Sequence, residues 1–158
     1  PFTVLVDFAH SPAALQGVLD ELLPLAAAGG GGLIAVFGSA GERDTAKRPM
    51  MGRIAGERCR LVVVTDEDPR GEDRMAILDE IAAGAEAAGR IRGTDLLVIP
   101  DRAAAIAEAL GRARRGDIVL LAGKGHEPTI EGPNGAVAWD ERAAAEAALA
   151  ALGFAGTA

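Results

Sequence analysis

The chain has 158 residues, with 16 Lys and Arg against 23 Asp and Glu and a formal net charge of −7. That length suits one domain with a sizeable core, and an acidic balance with 3% aromatics, no Tyr and one Trp excludes both a phosphate-backbone binder and a base-stacking platform, so nucleic acid is not expected as a partner. No apolar stretch nears the length of a membrane span and no basic-then-apolar leader is visible, so no membrane association is expected and the expected compartment is the cytoplasm.

In chain order, Thr3–Val6 reads as a first strand, and an opening on a strand suggests a domain cut from a longer protein. Ala13–Ala28 reads as a helix, with Leu15, Val18, Leu19, Leu22 and Leu23 at helical spacing. Gly29–Gly32 is a turn rather than a phosphate loop, because a strand, Leu33–Phe37, follows it. Met50–Cys59 is a second helix, ending on the single cysteine, which is expected to be a packing residue and excludes an internal disulfide. With two histidines and that one cysteine, no structural zinc is expected. Leu61–Thr65 is a strand and Arg74–Ala88 a helix with Ile77, Leu78, Ile81 and Ala85 on one face. Leu96–Ile99 is a strand, Asp101 caps a helix over Arg102–Arg114, and Ile118–Ala122 is a strand. Gly132-Pro133-Asn134-Gly135 turns the chain between Thr129-Ile130 and Ala136-Val137-Ala138, and Asp140 opens a last helix to about Leu152. Strand–helix alternation of this kind predicts an α/β fold in three layers, a mostly parallel sheet of about six strands with one antiparallel edge strand.

Polar clusters close the apolar runs. Gly38 to Pro49 follows the second, Asp66 to Asp73 the third, and Gly123 to Glu127 the fifth. Buried parallel strands are continuous apolar runs, and open α/β sheets bind ligands beyond their carboxyl ends. Arg43, Lys47 and Arg48 gather positive charge, the arginines as rigid forks suited to a carboxylate or phosphate, or form a solvated loop paired with Glu42 and Asp44. Glu67, Asp68 and Arg70 flank a stiffening Pro69 and can hold an amino acid by its ammonium and carboxylate, or form an acidic turn in which Glu72 and Asp73 cap the next helix. Gly123 lets the backbone approach a ligand beside Lys124, His126 and Glu127, with His126 either a base or a hydrogen-bonded structural residue. Asp7 can accept from a ribose and His10 can lie against a flat ring, or both belong to a capped strand-to-helix turn. Neither G-x-x-x-x-G-K-[ST] nor G-x-G-x-x-G is completed anywhere. The clusters therefore suggest a small, charged, zwitterionic ligand without a self-sufficient triphosphate site.

Five motifs, in order, resemble the Mur ligases. Asp7-Phe8-Ala9-His10-Ser11-Pro12 is similar to their D-Y-A-H-x-P hinge. Phe37 to Asp44 with Lys47-Arg48-Pro49-Met50-Met51 is similar to F-G-x-G-G-x-R-D-x-x-K-R-P-x-M. Asp68-Pro69-Arg70-x-Glu72-Asp73 resembles D-N-P-R-x-E-D, Asp101-Arg102 with Ala105-Ile106 resembles D-R-x-x-A-I, and Ala122 to Glu127 matches A-G-K-G-H-E. The likeness runs from about Val4 to Leu149 and is strongest to the C-terminal domain of the ligases that make the UDP-muramoyl tripeptide. It implies a Rossmann-like sheet, and residues 1–158 as a single amino-acid-binding domain of a longer three-domain ligase.

The whole enzyme would use ATP and Mg, held mainly by the central domain, to join a diamino acid to UDP-N-acetylmuramoyl-dipeptide through an acyl phosphate. The isolated domain would be inactive. The resemblance puts Asp7 and His10 on nucleotide-contacting positions and Arg43, Glu67, Asp68, Arg70, Gly123 and Glu127 in the amino-acid pocket, with Arg70 clamping a carboxylate and Glu127 receiving an ammonium. Two acidic departures stand out at Glu67 and Asp68. The second replaces an asparagine that helps orient the distal end of diaminopimelate, and its charge favours a cationic end such as that of ornithine or lysine. Arg70 argues for diaminopimelate. A folylpolyglutamate or cyanophycin-type synthetase domain and a noncatalytic amino-acid- or nucleotide-binding module are the alternatives.

Overall fold

The computed structural model describes residues 1–154. Its elements in order are β1 (Thr3–Asp7), α1 (Pro12–Ala28), β2 (Leu33–Phe37), α2 (Lys47–Arg58), β3 (Leu61–Val64), α3 (Arg74–Ala87), β4 (Leu96–Val98), α4 (Arg102–Gly111), β5 (Ile118–Ala122), β6 (Thr129–Gly132), β7 (Gly135–Ala138) and α5 (Glu141–Ala151). The first five strands form one parallel sheet in the order β1-β5-β2-β3-β4. β2, β3 and β5 are buried along their whole length, which is why they read as unbroken apolar runs.

Successive residues of these strands feed two cores. Leu33, Ala35, Phe37, Val62, Val64 and Leu120 pack against α1, α2 and α3. Ile34, Val36, Leu61, Val63, Val119 and Leu121 pack against α4 and α5. In α1, Leu15 and Leu19 are buried four residues apart, but Leu23 is exposed. α2 and α3 approach backbone to backbone, because a Cβ on Gly52 would lie 1.9 Å from the Ile81 carbonyl oxygen and one on Gly84 would lie 1.9 Å from that of Pro49. Cys59 is buried and its thiol is pushed up to about 12 by burial, as suits a packing residue rather than a nucleophile.

The mostly parallel three-layer fold is as expected, with one difference in its edge. β6 and β7 pair only with each other, as a separate antiparallel hairpin, and the main sheet has five strands. The hairpin is drawn away by its own contacts. The Arg70 amide donates to the Glu131 carbonyl at 2.8 Å and the Glu131 amide donates to Asp68 Oδ1 at 2.9 Å, so β6 docks on the loop after β3. Among the described residues no helix is long and apolar enough to cross a membrane.

Candidate functional site

The chain leaves β2 for α2 on one face of the sheet and leaves β5 for α5 on the other. β2 and β5 are neighbours, so their carboxyl ends diverge and open a crevice between them, the place where such sheets hold ligands. A cavity of about 360 Å³ lies there. The β1 loop contributes Phe8 and His10, the β2 loop Ala40, Arg43 and Asp44, the first residue of α2 Lys47, the β3 loop Glu67, Asp68 and Arg70, and the β5 loop Gly123 and Glu127. Seven of the sequence-derived site residues therefore line one space. Asp7 stands just behind it, its Oδ1 accepting from the Ala9 amide at 2.7 Å and so shaping the turn that carries His10.

The charges in the cavity are unequally partnered. Lys124 is fully buried, and its Nζ donates to Asp68 Oδ1 at 2.8 Å and to Glu127 Oε2 at 3.0 Å. Asp68 also accepts the Glu131 amide. Glu67 is only 6% exposed and its carboxylate makes no hydrogen bond or ion pair with any described residue. Burial pushes its pKa up, with Lys47 and Arg102 opposing the shift through space. Gly123 is what allows this carboxylate its position, since a Cβ there would lie 2.5 Å from Glu67 Oε1, and its φ of 106° suits glycine alone.

Arg70 has a left-handed backbone, φ 54°, a strained conformation for a side chain of this kind. Its Nε donates to Glu131 Oε2 at 3.0 Å and its Nη1 to the Gly41 carbonyl at 2.9 Å. The hydrogen bond to Glu131 raises its already high pKa. On the other wall Arg43 is exposed and without a side-chain partner among the described residues, while Lys47 Nζ donates to the His10 carbonyl at 2.9 Å. His10 packs edge-on against Phe8, with centroids 4.8 Å apart.

The basic loop divides by role. Arg48 points away from the cavity and is fully buried, its guanidinium bound to Glu72 at 2.6 and 3.0 Å, to Glu80 at 3.2 Å and to the Ala40 carbonyl at 3.1 Å. Glu72 thus braces the β2 loop, accepting the Glu42 amide as well, and Asp73 alone caps α3. Sequence reasoning missed a second brace. Arg102, 2% exposed, grips Glu141 of α5 through three contacts of 2.8–3.1 Å and donates to the carbonyls of Asp66 at 2.7 Å and Ala122 at 3.0 Å. It ties the ends of β3 and β5 together beneath the cavity, with Trp139 Nε1 donating to Glu141 at 2.7 Å. His126 is exposed, makes no side-chain hydrogen bond among the described residues, and faces a neighbouring cavity of about 410 Å³ beside Trp139 and Arg142 rather than the first.

An unpartnered buried carboxylate facing a guanidinium and an ammonium across one crevice is complementary to a zwitterion. The family model described as Mur ligase, glutamate ligase domain, matches residues 1–125. This chain belongs to that family. Its sequence is 60% identical to UDP-N-acetylmuramyl-tripeptide synthetase of Roseiflexus sp. (strain RS-1) over 99% of this chain, which spans 30% of that relative's length. A solved UDP-N-acetylmuramoyl-L-alanyl-D-glutamate–2,6-diaminopimelate ligase superposes with a TM-score of 0.81 at 34% identity, over 96% of this chain and 30% of that one. A bifunctional folylpolyglutamate synthase/dihydrofolate synthase from Yersinia pestis superposes with a TM-score of 0.54 at 20% identity, over 96% of this chain and 28% of that one, a likeness of fold alone.

Proposed function

We propose that this chain is the C-terminal domain of a longer ATP-dependent ligase that adds a diamino acid to UDP-N-acetylmuramoyl-dipeptide in the cytoplasm. The observation that carries the reading is the buried, unpartnered Glu67 facing Arg43 and Lys47 across the β2–β5 crevice of a Mur ligase domain. In this arrangement Arg43 and Lys47 hold the incoming amino acid's carboxylate, Arg70 lines the facing wall, and Glu67 and Glu127 receive ammonium groups. Asp68 and Gly123 shape the wall, Asp68 through Lys124 and the Glu131 amide, Gly123 by leaving room for Glu67.

Among the described residues no three His, Cys, Asp or Glu side chains converge as metal ligands, and the sequence holds no complete phosphate loop. In this reading this chain's part is to bind and orient. Asp7, the last residue of β1, and His10, on the loop after it, would in this reading meet a nucleotide held by another domain. The chemistry served is amide formation. The amine's lone pair attacks the carbonyl carbon of an acyl phosphate, the bond to phosphate breaks, phosphate leaves and the amine gives up a proton. Holding the zwitterion by fixed charges makes that attack effectively unimolecular.

The test is phosphate release by the whole protein with ATP and UDP-N-acetylmuramoyl-dipeptide. Release that depends on added diaminopimelate, lysine or ornithine is expected, and absence of release with all three would overturn the reading.

A further inference from the structure

The hairpin carries a residue that sets how much positive charge the cavity offers. A guanidinium grips a carboxylate through two parallel N–H groups, along either its Nε side or its outer end. In Arg70 the first edge is held by Glu131 Oε2 at 3.0 Å, and Nη1 of the second already donates to Gly41. The Glu131 carboxylate also compensates the charge. Nearby, Asp68 and Glu127 share the single charge of Lys124, and Glu67 has no partner at all among the described residues. On the opposite wall Arg43 and Lys47 face one carboxylate, that of Asp44. The cavity thus offers cationic charge for one carboxylate and surplus anionic charge for more than one ammonium.

We propose that Glu131 is a specificity-determining residue which, by occupying Arg70, makes this cavity take a diamino acid with a single carboxylate in preference to one with a second carboxylate on its distal end. The inference rests on the cavity being the amino-acid pocket. A distal carboxylate would be brought against the Glu67 carboxylate with Arg70 already engaged by Glu131, and like charges so placed are rejected. A distal ammonium meets Glu67 directly. The acidic residues at Glu67 and Asp68 and the retained Arg70, which point to opposite substrates in the sequence, agree once Arg70 is seen to be engaged.

The experiment compares kcat/KM of the whole protein for L-ornithine, L-lysine and meso-diaminopimelate, in the wild type and in Glu131→Gln. Glu131 is half exposed, and the substitution keeps its backbone bonds to Asp68 and Arg70, so the fold is retained. Glu131→Ala, with thermal melting of both variants, guards against an effect of the amide itself. The wild type is expected to favour ornithine or lysine by at least about tenfold. Uncharging Glu131 should narrow that ratio by about tenfold, the free-energy equivalent of ~1.4 kcal/mol, through a gain on diaminopimelate. A wild-type preference for diaminopimelate, or equal losses on all three substrates in both variants, would overturn the inference while leaving the ligase reading intact. No turnover with any of them would overturn both.

Discussion

Two sets of buried charge lie at the carboxyl end of the same sheet, and they are treated in opposite ways. Arg102 and Glu141 are fully enclosed and every exposed edge of their charge is answered, by each other, by two strand-end carbonyls and by the Trp139 indole. Glu67, the residue after one of those carbonyls, is nearly as buried, opens on the cavity and is answered by no described residue. A saturated pair of this kind fixes loops in place. A bare carboxylate is a cost to the fold that persists where a ligand completes it. The contrast separates brace from site more clearly than residue type does, because the family-like motifs contain both. Arg102 belongs to the first class and Glu67 to the second.

Breaking the braces should therefore damage stability, and the largest effect is expected at Arg102. Arg102→Ala leaves Glu141 charged and buried, and should cost about 3–5 kcal/mol in urea unfolding. Replacing both with apolar residues, as in Arg102→Met with Glu141→Leu, should recover most of that loss. A smaller cost of ~1–3 kcal/mol is expected for Gly84→Ala, measured the same way, because the new methyl group meets the Pro49 carbonyl and α2 and α3 must separate.

The smallest effect sharpens the comparison through pH. The Arg48 guanidinium, bonded to both Glu72 oxygens, holds that carboxyl down to about 2. A carboxyl depressed in the folded state contributes stability above its unfolded pKa and loses it as pH falls through the folded one. Acid unfolding profiles of wild type and Glu72→Gln should therefore differ above about pH 4.5 and converge toward about pH 2. Glu72 is partly solvated, which keeps the difference modest. Glu67 has the reverse sign. Its raised pKa means that its charge costs stability increasingly as pH rises above the ordinary glutamate range, so Glu67→Gln should flatten the loss of stability toward neutral pH.

Much of this was legible in the sequence, for identifiable reasons. Leu33–Phe37 and Ile118–Ala122 are exact because strands buried on both faces carry only apolar residues, and the polar clusters after them are the loops of the cavity. α2 begins at Lys47 rather than Met50 because Pro49 sits in its first turn, where no amide is needed. The ion-pair partners were not legible. Glu131 lies 61 residues from Arg70, and Glu141 lies 39 from Arg102, and no periodicity links residues joined only by the packing of a hairpin or a last helix. The same blindness made the hairpin look like a sheet edge, since its pairing is visible in the sequence and its docking on Asp68 and Arg70 is not.

The most direct test of the central claim is the amino-acid KM of the whole protein with Glu67→Gln, read beside its stability at neutral pH. If this carboxylate is left bare for a substrate ammonium, the variant should be at least as stable as the wild type. Its KM should rise by about ten- to a hundredfold, the loss expected for a charge-assisted hydrogen bond. An unchanged KM in a folded variant would contradict the account.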